Sequence, residues 1–129
     1  MTTDMTMLIA SAVLTALLAV PYATGFILTR GLYTVVGNRE DFPPGTGWIG
    51  RSHRAHLNMV ENMVPFAALV LAAAVLGKAG AWTALGAQVF FYSRVAHAVV
   101  YIMGVPWLRT LAYAGGLVGM AMVVYGIMI

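Results

Sequence analysis

"RSHRAHLNMVENMVPF", residues 51–66, runs straight into "AALVLAAAVLG", residues 67–77. The second stretch could lie in hydrocarbon. The first carries two arginines, two histidines, two asparagines and a glutamate. An α-helix turns through about 100° per residue, so relative to Arg51 the step puts Arg54 near −60°, Asn58 near −20° and Glu61 near −80°. Pro65 falls on the same stripe, whereas His53 and His56 point to the opposite side. A polar stripe extending about 15 Å along a helix must face protein or water rather than lipid. This stretch therefore predicts a membrane helix with one wall of a polar site on it.

Composition supports a membrane setting. The chain has 129 residues, of which 61% are hydrophobic and 9% charged. A soluble domain is about 45–50% apolar and about 25% charged. So little charge cannot cover a surface facing water. The formal charge of +3 comes from scattered residues, and no basic run is interleaved with aromatics, so nucleic acid is not an expected partner. There are no cysteines, which excludes disulfides, a cysteine nucleophile and cysteine metal ligands. Thiol chemistry would need a small-molecule thiol. The first twenty residues contain no lysine or arginine, so a cleaved signal peptide is not expected.

A bilayer core needs roughly 20 apolar residues per helix. Four spans of one all-α domain, residues 1–129, meet that length: about 5–33, 52–76, 81–103 and 107–128. Thr3 or Asp4 is the expected cap of the first, and Pro21 its expected kink. Pro43, Pro44 and several glycines mark the first loop, Gly77 and Gly80 the second, and Gly104 with Pro106 the third. Arg30, Arg39, Arg51 and Arg54 cluster around the first loop, and Arg109 follows the third. By the positive-inside rule these loops face the cytoplasm and both termini lie opposite. Gly115 and Gly119 form a G-x-x-x-G pair suited to close helix packing.

The third helix repeats the polar design. Arg94, His97 and Tyr101 share a face at i, i+3, i+7, and the fourth helix opens with Arg109, Thr110 and Tyr113. A bundle could gather Arg51, Arg54, Arg94 and Arg109 around one cavity, with Arg30 joining from the first helix. Only Glu61 opposes them. Burying unpaired charge costs several kcal/mol, on the order of 3–5, so this excess of cations calls for an anionic ligand. Arginine offers a fork that matches carboxylates. A small zwitterion with more than one carboxylate would satisfy the set, with Glu61 taking an arginine or a ligand ammonium.

These residues resemble the MAPEG family, the membrane-associated proteins of eicosanoid and glutathione metabolism. "RAHLNMVENMVPF" is similar to its second-helix pattern R-x-x-x-N-x-x-E-x-x-x-P through Arg54, Asn58, Glu61 and Pro65. "RVAHAVVY" resembles the third-helix pattern R-x-x-H-x-x-x-Y through Arg94, His97 and Tyr101. "VPWLRTLAY" resembles the start of the fourth helix, with Arg109 where the family has its catalytic arginine. The three matches come in the right order, and the layout covers nearly the whole chain. His53 departs from some glutathione transferases of the family, which have another arginine there.

The resemblance implies an integral membrane four-helix bundle assembled as a homotrimer, with glutathione as co-substrate bound between subunits near the cytoplasmic side. It implies that Arg54, Asn58 and Glu61 hold the tripeptide, Glu61 at its α-amino group. Arg94, Tyr101 and the nearby His97 would add contacts, and Arg30 and Arg51 would handle carboxylates. Arg109 would stabilise the thiolate, with Thr110 near the sulfur. The expected activity is that of a glutathione transferase or peroxidase acting on a hydrophobic electrophile or lipid hydroperoxide drawn from membrane lipids. Two alternatives stand beside it: a non-enzymatic lipid-binding or regulatory protein of the same fold, and a small transporter. No complete metal-ligand set appears, so no metal is expected; His53 and His56 lie away from Glu61.

Overall fold

The computed structural model describes residues 1–129 and is all-helical. Its elements are α1 (Thr3–Leu17), α2 (Ala19–Arg30), α3 (Leu32–Val36), α4 (Gly47–Val75), α5 (Ala81–Met103) and α6 (Pro106–Met128). The cap of α1 is Thr2, not Thr3 or Asp4: its hydroxyl accepts from the Met5 N–H at 3.4 Å. Asp4 is instead buried, and its Oδ2 accepts from the Thr83 hydroxyl at 3.1 Å.

The first span is interrupted near Pro21, as expected: Leu18 alone separates α1 from α2 and keeps a right-handed helical backbone, so Thr3–Arg30 continues as one span. Pro21 has no N–H for the Leu17 carbonyl, and the helix breaks at Leu18, one turn before the proline. The span also stops at Arg30, because Gly31 adopts φ 85°, ψ 152°; residues 32–36 form the separate short α3. At the other side of the loop, α4 begins at Gly47, earlier than the polar stripe suggested. α4 and α5 end by the same device. Gly77 and Gly104 take φ 66° and 82°, and the following N–H groups of Lys78 and Val105 reach back to the carbonyls of Ala73 and Val100. Pro106 then starts α6 at its first position, where the missing N–H costs no hydrogen bond.

Three segments are long and apolar enough to cross a membrane: Thr3–Arg30, Gly47–Val75 and Pro106–Met128. α5 is as long as α6 and covers the expected third span, 81–103, but it is less apolar and is not among them. Gln88, Ser93, Arg94 and His97 lower its hydropathy. It tolerates them because it packs against α1, α4 and α6. Arg94 and His97 are 1% and 2% exposed.

The closest packing is between α5 and α6. A Cβ on Gly119 would stand 2.5 Å from the Phe90 nitrogen and 2.7 Å from the Gly86 carbonyl oxygen. Gly115 lies against Ser93, so the Gly115–Gly119 pair is spent within the chain. Gly116 leaves room for the Arg94 stem, 3.3 Å from where a Cβ would be. The core beside this seam stacks Phe66 on Phe90 at 3.8 Å between centroids, with Met59, Val70, Ala87 and Leu18 around them.

Candidate functional site

α4 and α5 run antiparallel, so the start of α4 meets the end of α5. Arg51 Nε donates to the Ile102 carbonyl at 2.9 Å, which ties the first and third loops to one end of the molecule. Just inside that end, α4, α5 and α6 enclose an open cleft of about 320 Å³. Its lining is Asn58 from α4, His97 and Tyr101 from α5, and Arg109, Thr110 and Tyr113 from the first two turns of α6.

Each residue is held by something identifiable. Asn58 Oδ1 accepts from Arg94 Nη2 at 2.5 Å, and its backbone carbonyl accepts from Asn62 Nδ2 at 2.8 Å. Arg94 lies behind the cleft wall, with Nε donating to Met59 Sδ at 3.4 Å. His97 packs edge-on to Tyr101 at 5.4 Å. The Arg109 guanidinium sits over the Tyr101 ring, 4.7 Å from its centroid, which fixes a cation at the cleft rim. Thr110 Oγ1 donates to the Pro106 carbonyl at 3.2 Å, so its oxygen retains lone pairs for a donor from outside. Arg94 Nη1 and His97 Nδ1 are buried without a hydrogen-bond partner. The cleft thus offers one half-buried cation, hydroxyls, an amide and an imidazole around a space large enough for part of a small polar ligand.

The structure brings together Asn58, His97, Tyr101, Arg109 and Thr110, and places Arg94 directly behind them. The remaining four expected residues do not line this cleft within a single chain. Arg51 is turned to Ile102. Arg54 and Glu61 are exposed on the outer face of α4, with the Arg54 guanidinium lying back over Gly50. Arg30 stands apart, stacked on Phe26 and Phe42 at 4.6 and 4.2 Å, with Nη2 donating to the Pro44 carbonyl. His53 and His56 pack with Tyr22, and the Tyr22 hydroxyl lies 3.3 Å from His56 Nδ1. No group of three His, Cys, Asp or Glu side chains could hold a metal ion. Beyond those singled out as ligands, Tyr113 lines the cleft, and Asn62 supports Asn58 without lining it. Tyr113 lies one turn after Arg109, and Asn62 one turn after Asn58, so helical spacing points to both.

A family model described as "MAPEG family" matches residues 5–129. No curated protein and no solved structure matches the chain.

Proposed function

The chain belongs to the MAPEG family, and on that premise we propose that it is a glutathione-dependent transferase or peroxidase. It is an integral membrane protein, and its family includes glutathione transferases, peroxidases and proteins of eicosanoid synthesis. The observation that carries the proposal is the convergence of three separate motifs on one cleft: Asn58 from α4, His97 and Tyr101 from α5, Arg109 and Thr110 from α6.

A thiol with a pKa of about 8.5 is mostly protonated at neutral pH. A guanidinium held beside it favours the thiolate, which is the nucleophile. In the transferase reaction the thiolate sulfur forms a bond to an electrophilic carbon and a leaving group departs with its electron pair. In the peroxidase reaction it attacks the outer oxygen of a hydroperoxide, releasing an alcohol and a sulfenic acid. A second glutathione then yields the disulfide and water. Arg109 stabilises the thiolate in both. Glu61 receives the glutathione ammonium, and Arg54, Asn58, Arg94 and Tyr101 hold its polar backbone and carboxylates, with Arg51 as a further cation; Arg30, stacked on Phe26 and Phe42, stands outside this set.

The exposure of Arg54 and Glu61 supports an oligomer. Charges on a membrane helix are costly against lipid, and a second copy of the chain over this face would complete the site between subunits. We assign three copies, each a four-helix bundle, with the loop-side end in the cytoplasm and both termini opposite. Glutathione then enters from water and the second substrate from the bilayer.

The test is rapid mixing of detergent-purified protein with glutathione, following thiolate absorbance in the ultraviolet, and then turnover of a panel of electrophiles and hydroperoxides. Thiolate formation followed by turnover is expected. Bound glutathione with neither signal overturns the catalytic reading and leaves a lipid-binding member of the fold.

A further inference from the structure

The polar loop of residues 37–46 folds back over α2 and α4. Phe42 meets Phe26 edge-on at 4.9 Å, and Tyr22 stacks against His53 at 4.5 Å. These four rings pack against one another, and together with Arg39, Pro43 and Pro44 they line an open pocket of about 280 Å³. It shares no residue with the cleft around Arg109. His53 reaches it because it points away from the Asn58 side of α4.

Arg39 is the charged group on its wall. It is also the chain's one non-glycine residue with positive φ, at 57°. Such a conformation is unfavourable for a side chain with a Cβ and persists where the surroundings hold it. Here Nε donates to the Val35 carbonyl at 2.6 Å, and the guanidinium lies 5.4 Å from the Phe42 centroid. Arg30 lies against Phe42 too, so two guanidinium groups contact one ring. Glu40 and Asp41 are exposed and do not line the cavity. The walls are therefore aromatic, and the cavity's formal charge is positive.

We propose that this cavity beneath the first loop is a second binding site, for a small planar aromatic carboxylate. The ring would lie against the half-buried Tyr22, Phe42 and His53, with Phe26 buried behind them, and the carboxylate would take the free guanidinium nitrogens of Arg39. Ligand pockets run from about 300 to 1,000 Å³, so a pocket just below that range suits one or two fused rings. The inference does not rest on the glutathione reading, since it uses none of that cleft's residues.

Naphthoate is the probe, titrated calorimetrically into the full chain in detergent micelles, with empty micelles subtracted. Naphthylmethanol, without the charge, and cyclohexanecarboxylate, without the aromatic ring, are run beside it. Naphthoate is expected to bind once per chain, and each comparison probe more weakly by about tenfold or more. Arg39→Gly is the decisive variant, because glycine accepts a φ of 57° without strain and the loop should keep its path. It should weaken naphthoate by about tenfold, to the level of naphthylmethanol, without lowering the thermal unfolding temperature. Phe42→Leu should weaken naphthoate and naphthylmethanol alike. Equal binding of the three probes, unchanged binding by Arg39→Gly, or heats no larger than those of empty micelles each overturn the proposal.

Discussion

Two buried polar pairs lie near opposite ends of α5 and are treated differently. Near its start, the Thr83 hydroxyl donates to Asp4 Oδ2 and accepts from the Gly80 N–H at 2.8 Å. Both groups are sealed, with Asp4 2% and Thr83 0% exposed. Toward its end, Arg94 is as deeply buried and bonds Asn58, yet its Nη1 has no partner, and neither does Nδ1 of the adjacent His97. A buried donor left unmade costs about 1–3 kcal/mol. The first pair is closed within the chain and joins α1 to α5. The second lies beside an open cleft, with His97 on its wall and Arg94 behind it. The difference separates polarity satisfied within the chain from polarity left unsatisfied beside a cleft.

The α5–α6 seam underlies both ends, so breaking it gives the largest effect. Gly119→Ala would place a methyl against the Phe90 and Gly86 backbones, which cannot turn aside as a side chain can. A loss of about 3 kcal/mol is expected, read as a lower unfolding temperature in detergent, with glutathione binding lost as well. An unchanged unfolding temperature would mean the helices can separate without cost, and the comparison of two fixed ends would fail.

Arg109→Ala tests the open end alone. Removing one donor that stabilises a developing anion costs about a hundredfold or more in turnover. That loss in kcat is expected with much of the glutathione binding and the unfolding temperature retained. Unchanged turnover would move thiolate stabilisation to another cation.

Thr83→Val tests the closed end. It keeps the shape of the side chain and removes the hydroxyl, leaving a buried carboxylate short of a donor. The expected cost is about 2 kcal/mol of stability, with kcat and glutathione affinity unchanged. A selective loss of turnover would show that the two ends are coupled and that the closed pair serves function too.

The open end was far easier to read from sequence than the closed one. Asn58, His97, Tyr101, Arg109 and Thr110 stand at helical spacing in hydrophobic surroundings, and the ends of α5 are marked by Gly80, Gly104 and Pro106. Asp4 looked like a cap because it sits at a helix start, and its true partner, Thr83, lies on a distant helix to which no periodicity points. The break at Leu18 appears one turn before Pro21 because a proline removes the bond to the residue four before it. Gly47 resembled loop because it follows a Gly/Pro-rich run, yet it opens α4 with φ 57°. Arg30 fitted the basic cluster by proximity in sequence. Its stacking between Phe26 and Phe42 depends on the path of the loop, which residue spacing does not encode.

Glu61→Gln produces the smallest expected effect and bears most directly on what completes the open end. Glu61 is exposed within one chain and lies outside the Arg109 cleft. If it only balanced charge on the surface of α4, the glutamine would change little, because exposed ion pairs contribute about 0–1 kcal/mol. If it accepts the glutathione ammonium in a site closed by a second subunit, the charge-assisted bond becomes a neutral one. Affinity then falls by about tenfold, while kcat at saturating glutathione stays the same. Titrating the variant with glutathione and with a glutathione analogue lacking the α-amino group separates these cases. The analogue should bind the wild type and the variant equally, so that the variant's deficit appears for glutathione alone. An equal loss for both ligands would place Glu61 in the subunit contact rather than at the amine, and no loss for either would return it to surface charge balance.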